Sequence, residues 1–514
     1  MKTFKIFSIT ILSISYLGCN GISARQVIQP DNTETAMVNM QEKAYAHFCT
    51  GYFFMLDGDW ENAAENFEKA LQFDNSSERI IRHLATCYFR LGNEEKAISF
   101  IEKLARMKPD EFSIHYSLAT LYELAGRSDD AIVEYERARQ CKITPFDSVF
   151  LTDILYRLAN LYMQKGMTEE GVECYKSMLD TKLVSEPAKI YYEIGLRYFE
   201  INNMEKAVEY FLLAKQADPN LNHASLYLTF SYDGLGDYEN AIREANKFLQ
   251  KEPDSWIIHL TLSEIYEKIK DKTKRDENIE KTREILKRNI NTGSINPREY
   301  YILSHIYRNQ QELSKAIAVV ENMKLIPLDK ETYRDVHFLL ANLYYENKDF
   351  DKVENELLMT LKYDPDFHEA NNFLGYFFAE NNKNLDKAIQ LIHKALQAEP
   401  ENGAYLDSLG WAYYKKAQMD GEDYYLTMAL QKLSEAVQFT EEPDIYEHIG
   451  EVHYSLGNWD EAVKAYEKAE ALYKRIPGQS EKADDITYKL DKIKRLISKE
   501  DASMRTVETG KMQK

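Results

Sequence analysis

The sequence lacks the short motifs that mark common catalytic sites. It has no glycine-rich phosphate loop followed by Lys-Ser or Lys-Thr, no Cys-x-x-Cys pair, no His-Glu-x-x-His and no Gly-x-Ser-x-Gly. Nothing therefore indicates a P-loop, zinc-dependent or serine-nucleophile enzyme. His448 and His453 lie five residues apart on a predicted helix, so they do not share a face and do not indicate a metal site. We expect a non-enzymatic protein with no cofactor and no metal.

Cysteine is also scarce, and its spacing excludes a dense disulfide framework. Besides Cys19, the chain has Cys49, Cys87, Cys141 and Cys174, and none of them forms a close-spaced pair. Buried free thiols explain them best. A Cys141–Cys174 disulfide between neighbouring helices remains an open alternative.

Basic residues are also fewer than acidic residues. The formal net charge is −20, with 64 Lys and Arg against 84 Asp and Glu. Such a chain would repel a nucleic-acid backbone, so we expect no nucleic-acid partner. An acidic surface instead fits a soluble protein that resists aggregation.

The N-terminal segment has the features of an export signal. Lys2 and Lys5 accompany an apolar run, residues 4–17, that is too short to span a membrane. The run ends in Leu17-Gly18-Cys19-Asn20, which resembles the lipobox of bacterial lipoproteins, where the signal is cut before a cysteine that carries lipid. Residues 1–19 are thus predicted to be a lipoprotein-type signal peptide ending at the lipidation site, Cys19.

This resemblance implies where the protein resides. Lipid on Cys19 would anchor it at a membrane surface of the bacterial envelope. Since Asn20 is not aspartate, the resemblance implies the periplasmic side of the outer membrane in a Gram-negative cell. The alternative is an ordinary secretory signal cut after Ser23 or Ala24, which would give a secreted or soluble periplasmic protein. In both cases residues 20–43 would form a flexible tether, with a turn at residues 30–32.

The rest of the chain follows one spacing rule. Gly450 is followed by Ala462, Tyr466 and Ala469, at offsets of 12, 4 and 3 residues. The same rule fits three other sets: Gly51, Ala63, Phe67, Ala70; Ala119, Ala131, Tyr135, Ala138; and Gly195, Ala207, Phe211, Ala214. Small residues allow two helix backbones to cross closely, and the large residue fills the gap to the next repeat. This pattern resembles the tetratricopeptide repeat, a helix–turn–helix of about 34 residues.

The resemblance implies an all-α fold, a right-handed α-solenoid of about twelve helix–turn–helix repeats with a C-terminal capping helix. The repeats divide into residues 44–292 and 297–476. A joint near residues 270–297, where the seventh repeat lacks its small residues, and one continuous solenoid with a longer loop are both open. Residues 477–499 are predicted to form the capping helix, and residues 500–514 a disordered tail.

In such solenoids the first helix of each repeat, helix A, lines a concave groove. Four positions per repeat should face it, and many carry aromatic, amide or arginine side chains. The predicted groove residues are Tyr45, Phe48, Tyr52, Arg79, Arg82, Phe89, Tyr116, Tyr156, Asn160, Tyr192, Phe199, Tyr301, Arg308, Phe338, Asn342, Tyr345, Tyr376, Asp407, Trp411 and Tyr414.

Rings offer large contact area and amides can pair with a peptide backbone, so this set favours a protein partner or an extended peptide segment. We therefore expect a scaffold that acts by binding proteins in the bacterial envelope. The resemblance implies assembly of a secretion or surface-polymer system as one context. A polysaccharide stacked on the same rings is the alternative, and packing of single rings against neighbouring helices is a competing explanation for each residue.

Overall fold

The computed structural model describes residues 32–142 and 148–511, and within these ranges every regular element is an α-helix. The chain divides into two compact halves, residues 1–253 and 254–514. The predicted signal peptide, Cys19 and the first part of the predicted tether lie outside the described residues.

The first half contains six helix pairs, repeats one to six, each with a helix A and a helix B. In order they are α1 (Asn32–Asp57) and α2 (Trp60–Phe73), α3 (Glu78–Arg90) and α4 (Glu94–Met107), α5 (Phe112–Leu124) and α6 (Ser128–Gln140), α7 (Ser148–Gln164) and α8 (Thr168–Asp180), α9 (Pro187–Glu200) and α10 (Met204–Ala217), α11 (Asn222–Gly234) and α12 (Tyr238–Lys251).

The second half contains repeats seven to twelve and one further helix. These are α13 (Trp256–Lys268) and α14 (Lys272–Asn291), α15 (Pro297–Asn309) and α16 (Leu313–Met323), α17 (Lys330–Glu346) and α18 (Phe350–Tyr363), α19 (His368–Glu380) and α20 (Leu385–Ala398), α21 (Gly403–Asp420) and α22 (Asp423–Phe439), α23 (Pro443–Ser455) and α24 (Trp459–Tyr473), then α25 (Ser480–Lys511). Within each half, helix B also packs on helix A of the following repeat.

The close crossing of helices A and B is confirmed at the predicted small residues. We call the small residue of helix A the crossing residue. At Gly195, an added Cβ would lie 2.7 Å from the ring of Phe211, which is fully buried. At Gly450 it would lie 2.6 Å from the ring of Tyr466. Because real Cβ atoms do not approach so closely, glycine is required for this fit.

In repeat six the crossing residue is larger and its partner on helix B is smaller. Glycine faces rings at Gly195 and Gly450, whereas Thr229 is matched sixteen residues later by the much smaller Ala245. Both residues of this last pair are fully buried, and the Thr229 hydroxyl donates to the carbonyl of Ser225 at 2.9 Å. Bonding within its own helix satisfies the buried hydroxyl.

The C-terminal helix caps the second half, as predicted. Ile486, Leu490 and Ile493 on α25 are buried against Tyr466 and Tyr473 of α24. Its other positions up to residue 498 are largely exposed and polar. The last repeat therefore keeps its apolar side out of water.

The ends of the chain are more helical than expected. α1 begins at Asn32, so residues 32–43 are helical rather than a flexible tether. α25 continues to Lys511, so most of the predicted disordered tail is helical too. Neither residues 32–43 nor residues 500–509 contain glycine or proline, and nothing in the local sequence ends the helix.

In the region where a joint or a longer loop was left open, residues 292–296 form a short connection between α14 and α15 inside the second half. Ile285 and Leu286 before it share one core with Tyr300 and Leu303 after it. The boundary between the two compact halves falls earlier, between Pro253 and Asp254.

Cys141 and Cys174 are both free thiols, so the disulfide left open by the sequence is not formed. Burial raises the pKa of Cys174 to about 11 and that of Cys87 to about 12. These thiols therefore stay protonated at neutral pH and are poor nucleophiles.

Candidate protein-binding face

The predicted groove residues differ widely in exposure. Most are half-buried: Phe48, Tyr52, Arg82, Phe89, Asn160, Tyr192, Phe199, Tyr301, Phe338, Asn342, Tyr345, Tyr376 and Tyr414. Four are exposed, namely Tyr45, Arg79, Tyr156 and Arg308, and three are buried, namely Tyr116, Asp407 and Trp411.

A position that sequence reasoning missed links these residues between neighbouring A helices. It lies two residues before the crossing residue, and we call its occupant the bridging residue. In five repeats the bridging residue touches predicted groove residues or their neighbours on the preceding helix A: His83, Arg157, Tyr227, Phe373 and His448. The constant offset was the signal that could have revealed it.

In the first half, two bridging residues are aromatic, and each forms a group with rings of the preceding helix A. The His83 ring lies 5.4 Å from the Phe48 ring and 5.6 Å from the Tyr52 ring. Tyr227 contacts Tyr192 and Phe199 edge to face, with ring centroids 5.8 and 5.4 Å apart. These separations and angles are favourable for aromatic pairs.

Arg157 joins a polar group in the same half. It donates to Asp153 and to Glu123, each at 2.8 Å. The Tyr116 hydroxyl donates to Asp153 at 2.7 Å, and the Tyr135 hydroxyl donates to Glu123 at 2.8 Å. Burial and the nearby carboxylates raise the pKa of both tyrosines, so they remain neutral donors. Tyr116 is thus a structural residue and not an open groove contact.

In the second half, Phe373 occupies the bridging position beside two predicted groove residues. Its ring centroid lies 5.4 Å from that of Tyr345 and 6.4 Å from that of Phe338. The Asn342 amide donates one N–H to the Phe338 carbonyl of its own helix at 2.8 Å, which leaves one N–H and the amide oxygen for a peptide.

The densest group surrounds Trp411, and we call it the Trp411 cluster. The His448 ring stacks on Trp411 with centroids 4.1 Å apart, and Tyr414 stacks at 4.9 Å. The Trp411 indole donates to Glu380 at 2.7 Å, and the Lys415 ammonium lies 4.7 Å from the ring centroid. Trp411 is only 9% exposed. Its ring faces are therefore largely occupied by its own neighbours.

His448 also has a charged partner, Asp407, to which its Nδ1 donates at 2.8 Å. Burial lowers the pKa of His448, but the Asp407 carboxylate outweighs this effect and the pKa lies above its ordinary value. Tyr376 nearby is half-buried, and burial together with the charge of Glu380 raises its pKa. The cluster thus combines a histidine whose protonated form is favoured with neutral tyrosine donors.

The structure leaves some predicted residues apart from these groups. Arg308 forms an ion pair with Glu346, donating through Nε at 2.9 Å. Tyr156 packs edge to face on Tyr175, with ring centroids 6.3 Å apart. Both residues remain exposed.

In the described part of the chain, no three His, Cys, Asp or Glu side chains come together in a way that could hold a metal ion. Over the same residues, no helix is both long and apolar enough to cross a membrane.

Family models of the tetratricopeptide repeat match six stretches of the sequence, which together make up about half of the chain: residues 54–121, 152–180, 188–221, 223–255, 338–403 and 443–476. The chain is a tetratricopeptide repeat protein. Such repeats serve as protein-interaction scaffolds, and the stacked helix pairs of each half agree with this family.

Curated relatives of this tetratricopeptide repeat protein match only in part. A TPR repeat-containing protein of Pseudomonas aeruginosa, PA4667, is 30% identical over 26% of this chain and 22% of its own length. TPR repeat-containing protein YpiA of Bacillus subtilis is 25% identical over 38% of this chain and 45% of its own. BBSome complex member BBS4 of Bos taurus is 21% identical over 38% and 36%. The chain spans less than half the length of each.

Solved structures similar to this tetratricopeptide repeat protein include the APC/C hetero-tetramer Cut9–Hcn1, with 12% identity, coverage of 90% of this chain and 99% of that chain, and a TM-score of 0.37. Yeast Tom70 is 16% identical, with coverage of 93% of this chain and 100% of that chain, and a TM-score of 0.36.

Proposed function

We propose that this tetratricopeptide repeat protein is a non-catalytic scaffold that holds protein partners along its predicted groove residues. The observation that carries this proposal is the recurrence of half-buried rings at matching offsets on successive A helices, joined by bridging residues. Tyr345, half-buried against the bridging residue Phe373, is of this kind, and Tyr376 is a half-buried ring on the next helix A. Rings held in place by neighbours lose little entropy on binding, which favours an extended peptide segment.

The Trp411 cluster supports a protein partner over a polysaccharide. A sugar ring stacks on an aromatic residue only where a ring face is open. Tyr414, His448 and Lys415 already cover the indole of Trp411, which is 9% exposed. The strongest candidate for sugar stacking in the sequence is therefore a poor platform in the folded chain.

The cell envelope is the proposed setting. It rests on the lipobox-like residues 17–20, with Cys19 as the lipidated residue and the periplasmic side of the outer membrane as the location. Assembly of a secretion or surface-polymer system would suit a lipid-anchored scaffold. A secreted or soluble periplasmic protein is the competing arrangement.

Chemical cross-linking of envelopes followed by mass spectrometry tests the scaffold proposal. We expect adducts between A-helix residues and one or a few proteins, and their loss in Tyr345→Ser and Tyr376→Ser. Leu358→Ser is the control, because Leu358 lies on helix B and is 40% exposed. Glycan-array binding that disappears in Trp411→Ala, with no protein adducts, would favour the polysaccharide alternative instead.

Metabolic labelling with a fatty-acid analogue tests the anchor. Label should enter the wild type and be absent from Cys19→Ala. Cys49→Ala is the matched control and should retain the label, because Cys49 lies within α1. Equal labelling of Cys19→Ala and the wild type would remove the lipoprotein proposal.

A further inference from the structure

Repeat seven departs from the others at the place where its helices cross. The other repeats carry alanine, valine or glycine on helix B at the position twelve residues after the crossing residue. In the two repeats with longer loops, the equivalent position lies further along the chain. Ala207, Ala241, Ala316 and Val353 are typical, and each is fully buried. Repeat seven has Arg275 there, with 27% of its side chain exposed.

Arg275 does not enter the crossing but turns to carboxylates at its edge. It donates to Glu267 of α13 at 2.5 Å and to Asp276 of α14 at 2.7 Å. The next core position is held by Ile279, which is half-buried, whereas the equivalent Phe211 of repeat five is fully buried. The small, buried side chains that fill this space elsewhere are therefore missing.

A cleft of about 990 Å³ opens beside these residues, between α13, α14, α15 and α17. We call it the repeat-seven cleft. Its apolar wall is formed by Leu260, Ile279, Ile302 and Leu339, which are partly buried and pack on the core of the second half. This volume falls in the range of pockets that take up ligand groups, and it is large enough for several side chains.

The charges that line the cleft are unbalanced. Four carboxylates line it, those of Glu264, Glu267, Asp276 and Glu280, against two guanidinium groups, those of Arg275 and Arg308. Two of these groups are also paired with residues outside the lining: Arg308 with Glu346, and Glu280 with Arg283. One pair adds a carboxylate and the other a guanidinium group, so the excess of negative charge remains. The cleft therefore presents apolar walls beneath a negative rim, and a complementary occupant must be apolar with positive charge beside it.

From this combination we infer that the repeat-seven cleft is a docking site for a protein segment in which aromatic or aliphatic side chains alternate with lysine or arginine. The apolar side chains fill the space that Arg275 leaves open, and the cations meet the carboxylates at the rim. The inference rests on the proposed function, since it assumes a protein partner. Tyr301 and Arg308 of the predicted groove also line the cleft, so it is a contact site within that groove that differs from the Trp411 cluster in position and in charge.

Fluorescence polarisation with defined peptides tests the inference on the full chain. The probe is a labelled peptide of alternating lysine and phenylalanine. One comparison peptide has alanine in place of phenylalanine, and another has glutamate in place of lysine. We expect the probe to bind at least about tenfold more tightly than either comparison peptide, because each of these lacks one half of the complementarity.

Two variants place the binding in the cleft. Ile279→Trp fills the apolar wall, and Glu264→Lys/Glu280→Lys reverses charge at the rim without touching the core. Each should weaken probe binding about tenfold or more. Thermal melting checks that both variants fold; if Ile279→Trp does not, the rim variant decides.

The groove variants Trp411→Ala and Tyr376→Ala separate this inference from the proposed function. They should leave probe binding unchanged. If the probe no longer binds these variants but still binds Ile279→Trp, the cleft is not its docking site, and the proposal of a binding groove is unaffected. Equal binding of the lysine–alanine peptide would also overturn the inference, since it would show attraction by charge alone.

Discussion

The turns between helices A and B differ between the two halves. In the first half, the residue with left-handed backbone is glycine in five of the six repeats, for example Gly92 with φ 73°, and it is Asn202 in repeat five. In repeats seven, eight and nine it is Lys270, Gln311 and Lys348, with φ between 61° and 63°. A side chain in this conformation costs roughly 1–2 kcal/mol relative to the right-handed form.

The difference shows that packing, and not the turn residue, imposes the turn in repeats seven to nine. The same stretch has Arg275 in place of the small helix B residue of the other repeats, and it contains the repeat-seven cleft. Local strain and an incomplete core thus occur in the same repeats, and we expect these repeats to open before the rest of the second half. Four changes test how far this contrast extends.

The largest effect should come from emptying the core partner of the crossing residue. Phe211→Ala in the first half should cost about 4 kcal/mol, because it removes a fully buried ring. Val320→Ala in repeat eight should cost about 2 kcal/mol, since fewer buried carbon atoms are lost. Hydrogen exchange of peptides from each repeat measures both, because long repeat arrays need not unfold in one step. Equal losses would remove the contrast in packing.

A second, smaller effect should follow from adding one methyl group at a crossing. Gly195→Ala should destabilise repeat five by about 2 kcal/mol, because its Cβ would lie 2.7 Å from Phe211. Gly234→Ala is the control: its Cβ would meet only the flexible Met204 side chain at 3.2 Å, and alanine favours the helix. Exchange in α9 and α11 compares the two. A stable Gly195→Ala variant would contradict the close crossing.

Changing pH should affect the Trp411 cluster. Because the folded pKa of His448 lies above its ordinary value of 6.5, the protonated form stabilises the fold. This stabilisation, about 1.5 kcal/mol for a hydrogen bond between charged groups, is fully present below about pH 6.5 and is lost as pH rises through the folded pKa.

Melting temperatures of the wild type and His448→Gln should therefore differ most at acidic pH and converge at alkaline pH. His393 is a matched control in the same half, because burial and the charge of Lys432 lower its pKa. The His393→Gln comparison should run in the opposite direction with pH. A His448→Gln difference that does not change with pH would contradict the Asp407 pair.

The smallest effect should come from exchanging turn residues between the halves. Gly92→Lys should destabilise repeat two by about 1 kcal/mol, and Lys348→Gly should stabilise repeat nine by about 1 kcal/mol or less, because glycine also gains entropy when unfolded. Local hydrogen exchange measures both changes. If Lys348→Gly does not stabilise repeat nine and Gly92→Lys does not destabilise repeat two, the turns do not store strain.

The sequence predicted the repeats well because their spacing reflects a steric requirement. The offsets from Gly195 to Ala207 and Phe211 follow directly from the crossing of two helices, and the structure places these residues in contact. The pattern of α25 likewise follows from the apolar side that the last repeat must cover.

Other features depend on contacts between repeats and could not be predicted in the same way. The role of His448 is one of them, because its partners Asp407 and Trp411 lie about forty residues away in sequence. Helix extent at both ends was underestimated, since polar composition does not distinguish a solvated helix from a disordered segment. The repeat-seven cleft could not be predicted, because the sequence does not show where the missing small side chains leave space.

The central claim is that each repeat is held by the fit between the crossing residue and its partner on helix B. A double-mutant cycle in repeat five tests it most directly, using Gly195→Ala, Phe211→Leu and the two together, with stability measured by exchange in α9 and α10. We predict that the double variant is more stable than the sum of the single effects by about 1 kcal/mol or more, because leucine makes room for the added methyl group. Effects that add within about 0.5 kcal/mol would contradict the claim.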